Sequence, residues 1–103
     1  MLSALFDRGE HNGAVIRRRV VVRGRVQGVG FRYSARGEAV RLGLGGQARN
    51  RTDGSVEIVI EGDAASVGSM LEWLAAGPPG ARVDSIETSE LTPIGASQFV
   101  ITA

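Results

Sequence analysis

Residues 46–61 read Gly-Gln-Ala-Arg-Asn-Arg-Thr-Asp-Gly-Ser-Val-Glu-Ile-Val-Ile-Glu, and the rest of the predicted architecture can be built outward from them. The central Thr52-Asp53-Gly54 is typical of a hairpin turn, which predicts two strands at 46–51 and 55–61. One face of the second strand is apolar and the other mostly charged, because Val56, Ile58 and Ile60 alternate with Glu57, Val59 and Glu61. A hairpin of this kind requires a second layer packed on its apolar face.

One amphipathic helix is predicted on each side of this hairpin in the chain. The first helix begins at Phe31 and ends at Gly43, which is suited to a left-handed cap. The second helix begins after Asp63, an N-cap residue, and ends at Gly77-Pro78-Pro79-Gly80. The apolar stripes are Phe31, Ala35, Ala39 and Leu42 in the first helix, and Val67, Met70, Leu71 and Leu74 in the second. Each helix therefore has one face to bury.

Further strands are predicted at 15–24, near 82–90 and near 97–102. The resulting order is βαββαβ with one additional terminal strand. This order predicts an α+β, ferredoxin-like two-layer sandwich, in which an antiparallel sheet is covered on one face by two helices and extended by a C-terminal edge strand. We expect residues 15–103 to form this single domain and residues 1–14 to be a flexible N-terminal extension.

Composition excludes several classes of function. A chain of 103 residues is too short for two independent cores, and without cysteine it has no disulfide, zinc-finger, iron–sulfur or cysteine-nucleophile chemistry. A single histidine, His11, is too few for a histidine-built metal site. No apolar run approaches the ~20 residues that a membrane span needs. Residues 1–14 contain Asp7 and Glu10 and do not resemble a signal peptide. We therefore expect a soluble, cytoplasmic protein.

The formal net charge of +1 conceals an uneven distribution along the chain. Residues 17–51 contain ten arginines and one acid, Glu38, whereas residues 52–103 contain one arginine, Arg82, and eight acids. A basic half can indicate an anionic partner. The alternative is that arginine-rich strands lie beside glutamate-rich strands and their charges cancel across the sheet. We favour the alternative for most of these arginines.

The segment Gly24-Arg25-Val26-Gln27-Gly28-Val29-Gly30-Phe31-Arg32 connects the first strand to the first helix. Its glycines allow backbone N–H groups to point into one concavity at the positive end of the helix dipole. A cation is unfavourable at a helix N-terminus, so Arg32 either points into water or binds an anion. The segment thus predicts a phosphate-binding loop, and the alternative is an ordinary turn with a surface arginine. It matches neither the Walker pattern nor the dinucleotide-binding pattern.

Asn50 is the second candidate functional residue, at the end of the strand before the hairpin turn. If Ala48 faces the helices, Asn50 lies on the same side, at the rim where the loop of the first strand emerges. A neutral amide there could orient a water molecule without taking its proton. The alternative role is to bond the backbone of the turn, which asparagine often does.

Three strings carry a resemblance to a known family. They are Gly24-Arg25-Val26-Gln27-Gly28-Val29-Gly30-Phe31-Arg32, Gly46-Gln47-Ala48-Arg49-Asn50 and Asp53-Gly54-Ser55-Val56-Glu57. From about Val20 to its C-terminus the chain resembles the acylphosphatase family. The resemblance implies hydrolysis of a carboxyl–phosphate anhydride to a carboxylate and inorganic phosphate, without a metal or cofactor.

The resemblance also implies roles for individual residues. The substrate phosphate would be bound by Val26, Gln27, Gly28, Val29, Gly30, Phe31 and Arg32, and Asn50 would position the attacking water. The partners implied are a small-molecule acyl phosphate and its phosphate product, for a monomer that binds neither nucleic acid nor membrane. The chain departs from the family at Gln47 and Ala48, where the family often has an aromatic and a β-branched residue.

Two other functions compete with hydrolysis. A ferredoxin-like domain can bind RNA, but that use requires aromatic side chains on the central strands, and 15–24 and 55–61 contain none. The loop could also hold a phosphate-bearing metabolite without useful turnover, in a regulatory or carrier domain. Both remain as alternatives to an enzyme at this stage.

Overall fold

The computed structural model describes residues 14–103, and its elements occur in the order that the sequence predicts. They are β1 (Val15–Arg25), α1 (Phe31–Arg41), β2 (Gly45–Asn50), β3 (Val56–Asp63), α2 (Ala64–Ala76), β4 (Arg82–Leu91) and β5 (Phe99–Ile101). The predicted boundaries agree to within two residues. The flexible extension predicted for residues 1–14 lies, except for Ala14, outside the described residues.

The five strands form one sheet in the order β4-β1-β3-β2-β5. Strand β3 pairs antiparallel with both β1 and β2, and β4 pairs antiparallel with β1. Strand β5 is the predicted C-terminal edge strand, and it runs parallel to β2. Because β1 and β2 are both antiparallel to β3, they run in the same direction, and their C-terminal ends lie at the same end of the sheet. The loop before α1 and the last residue of β2 therefore lie at this end.

The core lies between the sheet and the two helices, as the alternation of β3 predicted. Its fully buried residues include Val20, Val22, Ile58, Ile60 and Ala48 from the strands, and Phe31, Ala35, Ala39, Val67, Met70 and Leu74 from the helices. The Asp63 side chain caps α2 by accepting a hydrogen bond from the Ala65 amide. Gly43 follows α1 in the left-handed conformation, with φ of 72°. The ferredoxin-like sandwich predicted from the sequence is confirmed. Within the described residues, neither helix is long and apolar enough to span a membrane.

The sheet face opposite the helices is a layer of ion pairs. Glu57 is buried and accepts hydrogen bonds from Arg19 and Arg49, and Arg17 donates to Glu61 at 2.8 Å. The apolar parts of such long side chains can cover neighbouring valines, which keep little exposure on this face. These arginines are therefore partnered within the sheet, as the charge-cancelling alternative predicted.

Asp53 stabilises the tip of the β2–β3 hairpin through the hydrogen bonds of its carboxylate. Its carboxylate accepts hydrogen bonds from the Ser55 amide at 3.0 Å and from the Ser55 hydroxyl, and it lies 3.3 Å from Arg23. The hydrogen bonds from Ser55 hold the pKa of Asp53 well below its usual range. In the unfolded chain this carboxyl has a pKa of about 3.9.

We expect Asp53→Asn to lower the free energy of unfolding at pH 7. The carboxylate stabilises the fold above its unfolded pKa, and this stabilisation is lost as the pH falls toward the depressed folded pKa. The difference in the free energy of unfolding between variant and wild type, measured by urea unfolding, should therefore become smaller as the pH falls from 5 to 2. Asp84→Asn is the control, because that carboxylate bonds its exposed neighbour Arg82. A difference in the free energy of unfolding that stayed constant over this pH range would contradict the stabilising role of the Asp53 carboxylate.

Candidate active site

The loop between β1 and α1 leaves the helix N-terminus open. Gly28 and Gly30 have φ of 77° and 76°, a conformation that other residues adopt at a cost. Gly30 is the N-cap residue, so it offers no side chain to bond the first amides, and the first turn contains no acidic residue. The first amides of a helix have no partner within it. The loop therefore presents N–H donors at the positive end of the α1 dipole.

A small cavity lies where these amides face the end of β2. It has a volume of about 110 Å³ and is lined by Val26, Gly28, Gly30, Phe31, Arg32, Tyr33 and Asn50. The structure thus brings together the two side chains that sequence analysis selected, Arg32 and Asn50, although they lie 18 positions apart. It also places Val26, Gly28, Gly30 and Phe31 in the wall, which leaves Gln27 and Val29 as the predicted phosphate-binding residues that do not line the cavity.

Arg32 is half-buried beside the cavity, and its Nη1 donates a hydrogen bond to the backbone oxygen of Thr102 at 3.1 Å. Within residues 14–103, no carboxylate forms an ion pair with it, whereas Arg17, Arg19 and Arg49 are all paired. A guanidinium has five N–H donors, so most of its donors remain available to an anion. Among the described residues, Arg32 therefore has one fixed hydrogen bond and no carboxylate that balances its positive charge.

Asn50 ends β2 on the side of the sheet that faces the helices. Ala48, two residues earlier, is fully buried in the core, which places Asn50 on the same side. The alternative role for Asn50 was to bond the hairpin turn. In the described part of the chain that role belongs to other residues: Asp53 bonds Ser55, and Gln27 bonds the backbone on both sides of the turn. Asn50 instead lines the cavity.

Gln27 joins the loop to the hairpin. Its Nε2 donates to the backbone oxygens of Arg51 at 2.7 Å and Ser55 at 2.9 Å. Both acceptors flank the hairpin turn, so the loop and the end of β2 are held as one unit. Sequence analysis placed Gln27 among the phosphate-binding residues and missed this structural contact. The sequence carries no signal for this contact, because the turn that Gln27 bonds is brought beside it only by the tertiary fold.

Tyr33 is a second residue that sequence analysis missed. It follows Arg32 in α1, lines the cavity and is 63% exposed, which is high for a large aromatic side chain. Its ring lies 5.8 Å from the guanidinium carbon of Arg36, within the range of a cation–π contact. Tyr33 therefore forms part of the outer wall of the cavity.

A larger cavity of about 450 Å³ lies at the opposite end of α1, against the start of β5. Its lining includes one charged side chain, Arg36, together with Val40 and Phe99. It contains neither the amides at the start of α1 nor Asn50. Size alone does not make a catalytic site, and the smaller cavity is the one in which donors converge. The smaller cavity is the candidate active site.

Comparison with known proteins agrees with this fold. The family model described as Acylphosphatase matches residues 18–101. The chain is 52% identical over 80 residues to an acylphosphatase of Anaeromyxobacter dehalogenans, covering 78% of this chain and 86% of that protein. It is 49% identical over 78 residues to an acylphosphatase of Azoarcus sp., covering 76% and 80%.

Solved structures give the same result. The crystal structure of an acylphosphatase from Bacillus subtilis superposes with a TM-score of 0.82 at 39% identity, covering 85% of this chain and 99% of that one. An acylphosphatase from Coxiella burnetii also has a TM-score of 0.82, at 38% identity, covering 85% and 93%. Fold and relatives together define the class of protein, a small hydrolase built on a ferredoxin-like sandwich. Within that class, the chain belongs to the acylphosphatase family.

The contribution of the two Gln27 hydrogen bonds can be tested by replacing the side-chain amide with a carboxylate of the same shape. Gln27→Glu replaces the donating amide with a carboxylate that faces two carbonyl oxygens, and it should lower the free energy of unfolding by about 1–3 kcal/mol. It should also lower kcat/KM, because loop and hairpin would separate. Urea unfolding and acyl phosphate hydrolysis measure the two effects. Gln47→Glu, in strand β2 of the hairpin that Gln27 contacts but outside the lining of the cavity, is the matched control. Equal effects in both variants would refute the structural role.

Proposed function

We propose that the cavity between α1 and the end of β2 is where this acylphosphatase hydrolyses the carboxyl–phosphate bond of acyl phosphates. The single observation that supports this most is the convergence of the open α1 N-terminus, Arg32 and Asn50 on one cavity of about 110 Å³. An amide-lined helix N-terminus suits a phosphate dianion, and so does a guanidinium that pairs with no carboxylate among residues 14–103. A neutral side-chain amide beside that anion suits a water molecule.

In the proposed complex the loop from Val26 to Arg32 binds the substrate phosphate. Backbone amides at the start of α1 donate to its oxygens, and the Arg32 guanidinium donates from the side. Gln27 contributes by holding the loop against the hairpin, and Val29 contributes by packing against the core. In phosphoryl transfer, negative charge is spread over the equatorial oxygens of the transferred group, so fixed donors around them lower the barrier.

Asn50 positions the attacking water in this mechanism. The water oxygen bonds to phosphorus, the bond from phosphorus to the acyl oxygen breaks, and the carboxylate leaves with the electron pair. A carboxylate is a good leaving group and needs no proton from the enzyme. Asn50 is no base, so the water proton passes to a phosphate oxygen, and the products are a carboxylate and inorganic phosphate. The mechanism uses backbone amides and Arg32 where other phosphoryl-transfer enzymes use a metal ion.

We also propose that the protein acts as a monomer in the cytoplasm, on small-molecule acyl phosphates, without nucleic-acid or membrane partners. The open sheet face supports the part of this proposal that concerns RNA. In the described residues that face carries paired arginine and glutamate side chains and no aromatic ring on which a base could stack. A titration with single-stranded RNA at varied salt tests it, and a steep salt dependence of binding would contradict it.

The role of Arg32 is tested by phosphate release from a simple aryl acyl phosphate in the presence of a chelator. The wild-type protein should turn over, and Arg32→Ala should lose about 10³-fold or more in kcat/KM together with its affinity for phosphate. Arg32→Lys should recover little, because an ammonium lacks the planar fork. Arg41→Ala is the control, since Arg41 is exposed at the other end of α1. Full activity in Arg32→Ala, or activity only without chelator, would overturn the mechanism.

Substitution of Asn50 should change the kinetic constants differently from substitution of Arg32. We expect Asn50→Ala to lower kcat by about 10²–10³-fold with a small change in KM, since the water would lose its position while the phosphate stayed bound. Steady-state kinetics on the same substrate separate the two constants. Thr52→Ala, an exposed substitution in the adjacent turn, is the control. A higher KM with an unchanged kcat would assign Asn50 to binding instead.

A further inference from the structure

Residues 92–98 cross the sheet from one edge to the other, because β4 and β5 lie at opposite edges. This crossing segment has no regular secondary structure, and most of it is exposed, including Ile94 at 73%. A segment with so few buried apolar contacts needs polar contacts to hold one position. The contacts that hold the crossing segment in place also determine where the short strand β5 begins.

Glu61 provides those contacts. It lies on β3 on the face opposite the helices, it is 2% exposed, and it takes no part in the proposed chemistry. One carboxylate oxygen accepts from the Ile94 amide at 3.0 Å, and the other accepts from the amides of Gly95 at 2.7 Å and Ala96 at 3.2 Å. Arg17 supplies the compensating charge at 2.8 Å. The backbone amides, led by that of Ile94, hold the pKa of Glu61 below its usual range.

The crossing segment is also pressed against β2. A Cβ atom built on Gly45 would lie 2.3 Å from the backbone oxygen of Ala96, so the approach is possible only because Gly45 has no side chain. Immediately afterwards the Gly46 amide donates to the oxygen of Gln98 at 2.9 Å, and Phe99 pairs with Gly46 in the sheet. The anchor at Glu61 therefore leads directly into β5.

At its other end β5 meets the candidate active site. The Thr102 amide donates to the oxygen of Ala48 at 2.9 Å, and the Thr102 oxygen accepts from Arg32 at 3.1 Å. Strand β5 has three residues and pairs on one side only, so its position depends on the contacts at its two ends and on the buried ring of Phe99. The Arg32 guanidinium thus bonds a carbonyl whose place is set by an edge strand.

We propose that Glu61 is a positioning residue for Arg32, acting through the crossing segment, strand β5 and the carbonyl of Thr102. The inference rests on the proposed role of Arg32 in phosphate binding. If the crossing segment is released, β5 loses one of its anchors and the Thr102 oxygen no longer holds one place. The guanidinium then samples orientations that do not suit the phosphate. The effect would reach the cavity from the opposite face of the sheet.

Glu57 offers a matched control for a substitution at Glu61. It lies on the same strand and the same face, four residues before Glu61, and is 6% exposed. It accepts hydrogen bonds from Arg19 and Arg49, and in the described residues none from the crossing segment. Glu57→Gln and Glu61→Gln therefore each disturb a buried carboxylate that pairs with arginine. Only Glu61→Gln disturbs the path to Arg32.

We expect Glu61→Gln to weaken the binding of inorganic phosphate and to lower kcat/KM by about 3- to 30-fold, and Glu57→Gln to change neither when both are assayed well below their unfolding transitions. Amide exchange at Gly46 and Thr102 should accelerate in the first variant only. Truncation after Ile101 removes the Thr102 carbonyl directly and should reproduce the loss, which keeps the test open if Glu61→Gln fails to fold. Wild-type phosphate affinity in Glu61→Gln, or in the truncated chain, would overturn the inference.

A double variant separates this inference from the proposed function. If Glu61 acts through Arg32, adding Glu61→Gln to Arg32→Ala should weaken phosphate binding no further than Arg32→Ala alone. An additive loss would show that Glu61 acts elsewhere and would overturn the inference. If Arg32→Ala itself bound phosphate like the wild type, the proposed function would fail first. If Arg32→Ala failed to bind and Glu61→Gln bound normally, only the positioning role would be lost.

Discussion

The Gln27 amide bonds the two backbone oxygens that flank the hairpin turn, and the candidate site depends on this contact more than on any other. The glycine-rich loop has the freedom to adopt many conformations, and the hairpin end is a separate part of the chain. Joined through Gln27, they form one rim, with amides and Arg32 on one side and Asn50 on the other. Both oxygens also accept a backbone hydrogen bond within the turn, Arg51 from the Gly54 amide and Ser55 from the Arg51 amide, so Gln27 attaches the loop to a turn that is already closed.

The position of Arg32 requires an explanation in electrostatic terms. A cation in the first turn of a helix is repelled by the helix dipole, and here no acidic residue in that turn offsets it. The Thr102 carbonyl offsets part of this cost by accepting from Nη1. In the proposed mechanism the substrate phosphate offsets the remainder, because it is attracted by the guanidinium and by the helix amides alike. The repulsion between these two fixed positive groups therefore favours binding of an anion.

The sequence was sufficient for the element order, the two apolar helix stripes and the pair of Arg32 and Asn50, because these follow from local periodicity, turn residues and a specific motif. It was insufficient for the contacts of Gln27, Glu61 and Thr102. Two of these depend on backbone acceptors or donors brought together across 24 to 35 positions, and such groups carry no residue identity. The parallel direction of β5 was equally hidden, since a three-residue strand has too few positions to indicate its partner.

The uneven charge along the chain is explained by ion pairs that form in the folded structure. Of the ten arginines in residues 17–51, seven lie within ion-pair distance of a carboxylate in the described structure: Arg17, Arg18, Arg19, Arg23, Arg41, Arg49 and Arg51. Six of these seven pair with carboxylates of the acidic half, and Arg41 pairs with Glu38 within the basic half. Of the remaining three, Arg32 alone lines the candidate active site, beside the open end of α1. A single charge that has no ion pair among the described residues, in one small cavity, is the arrangement that the proposed small anionic substrate requires, and it differs from the extended basic surface of a nucleic-acid-binding protein.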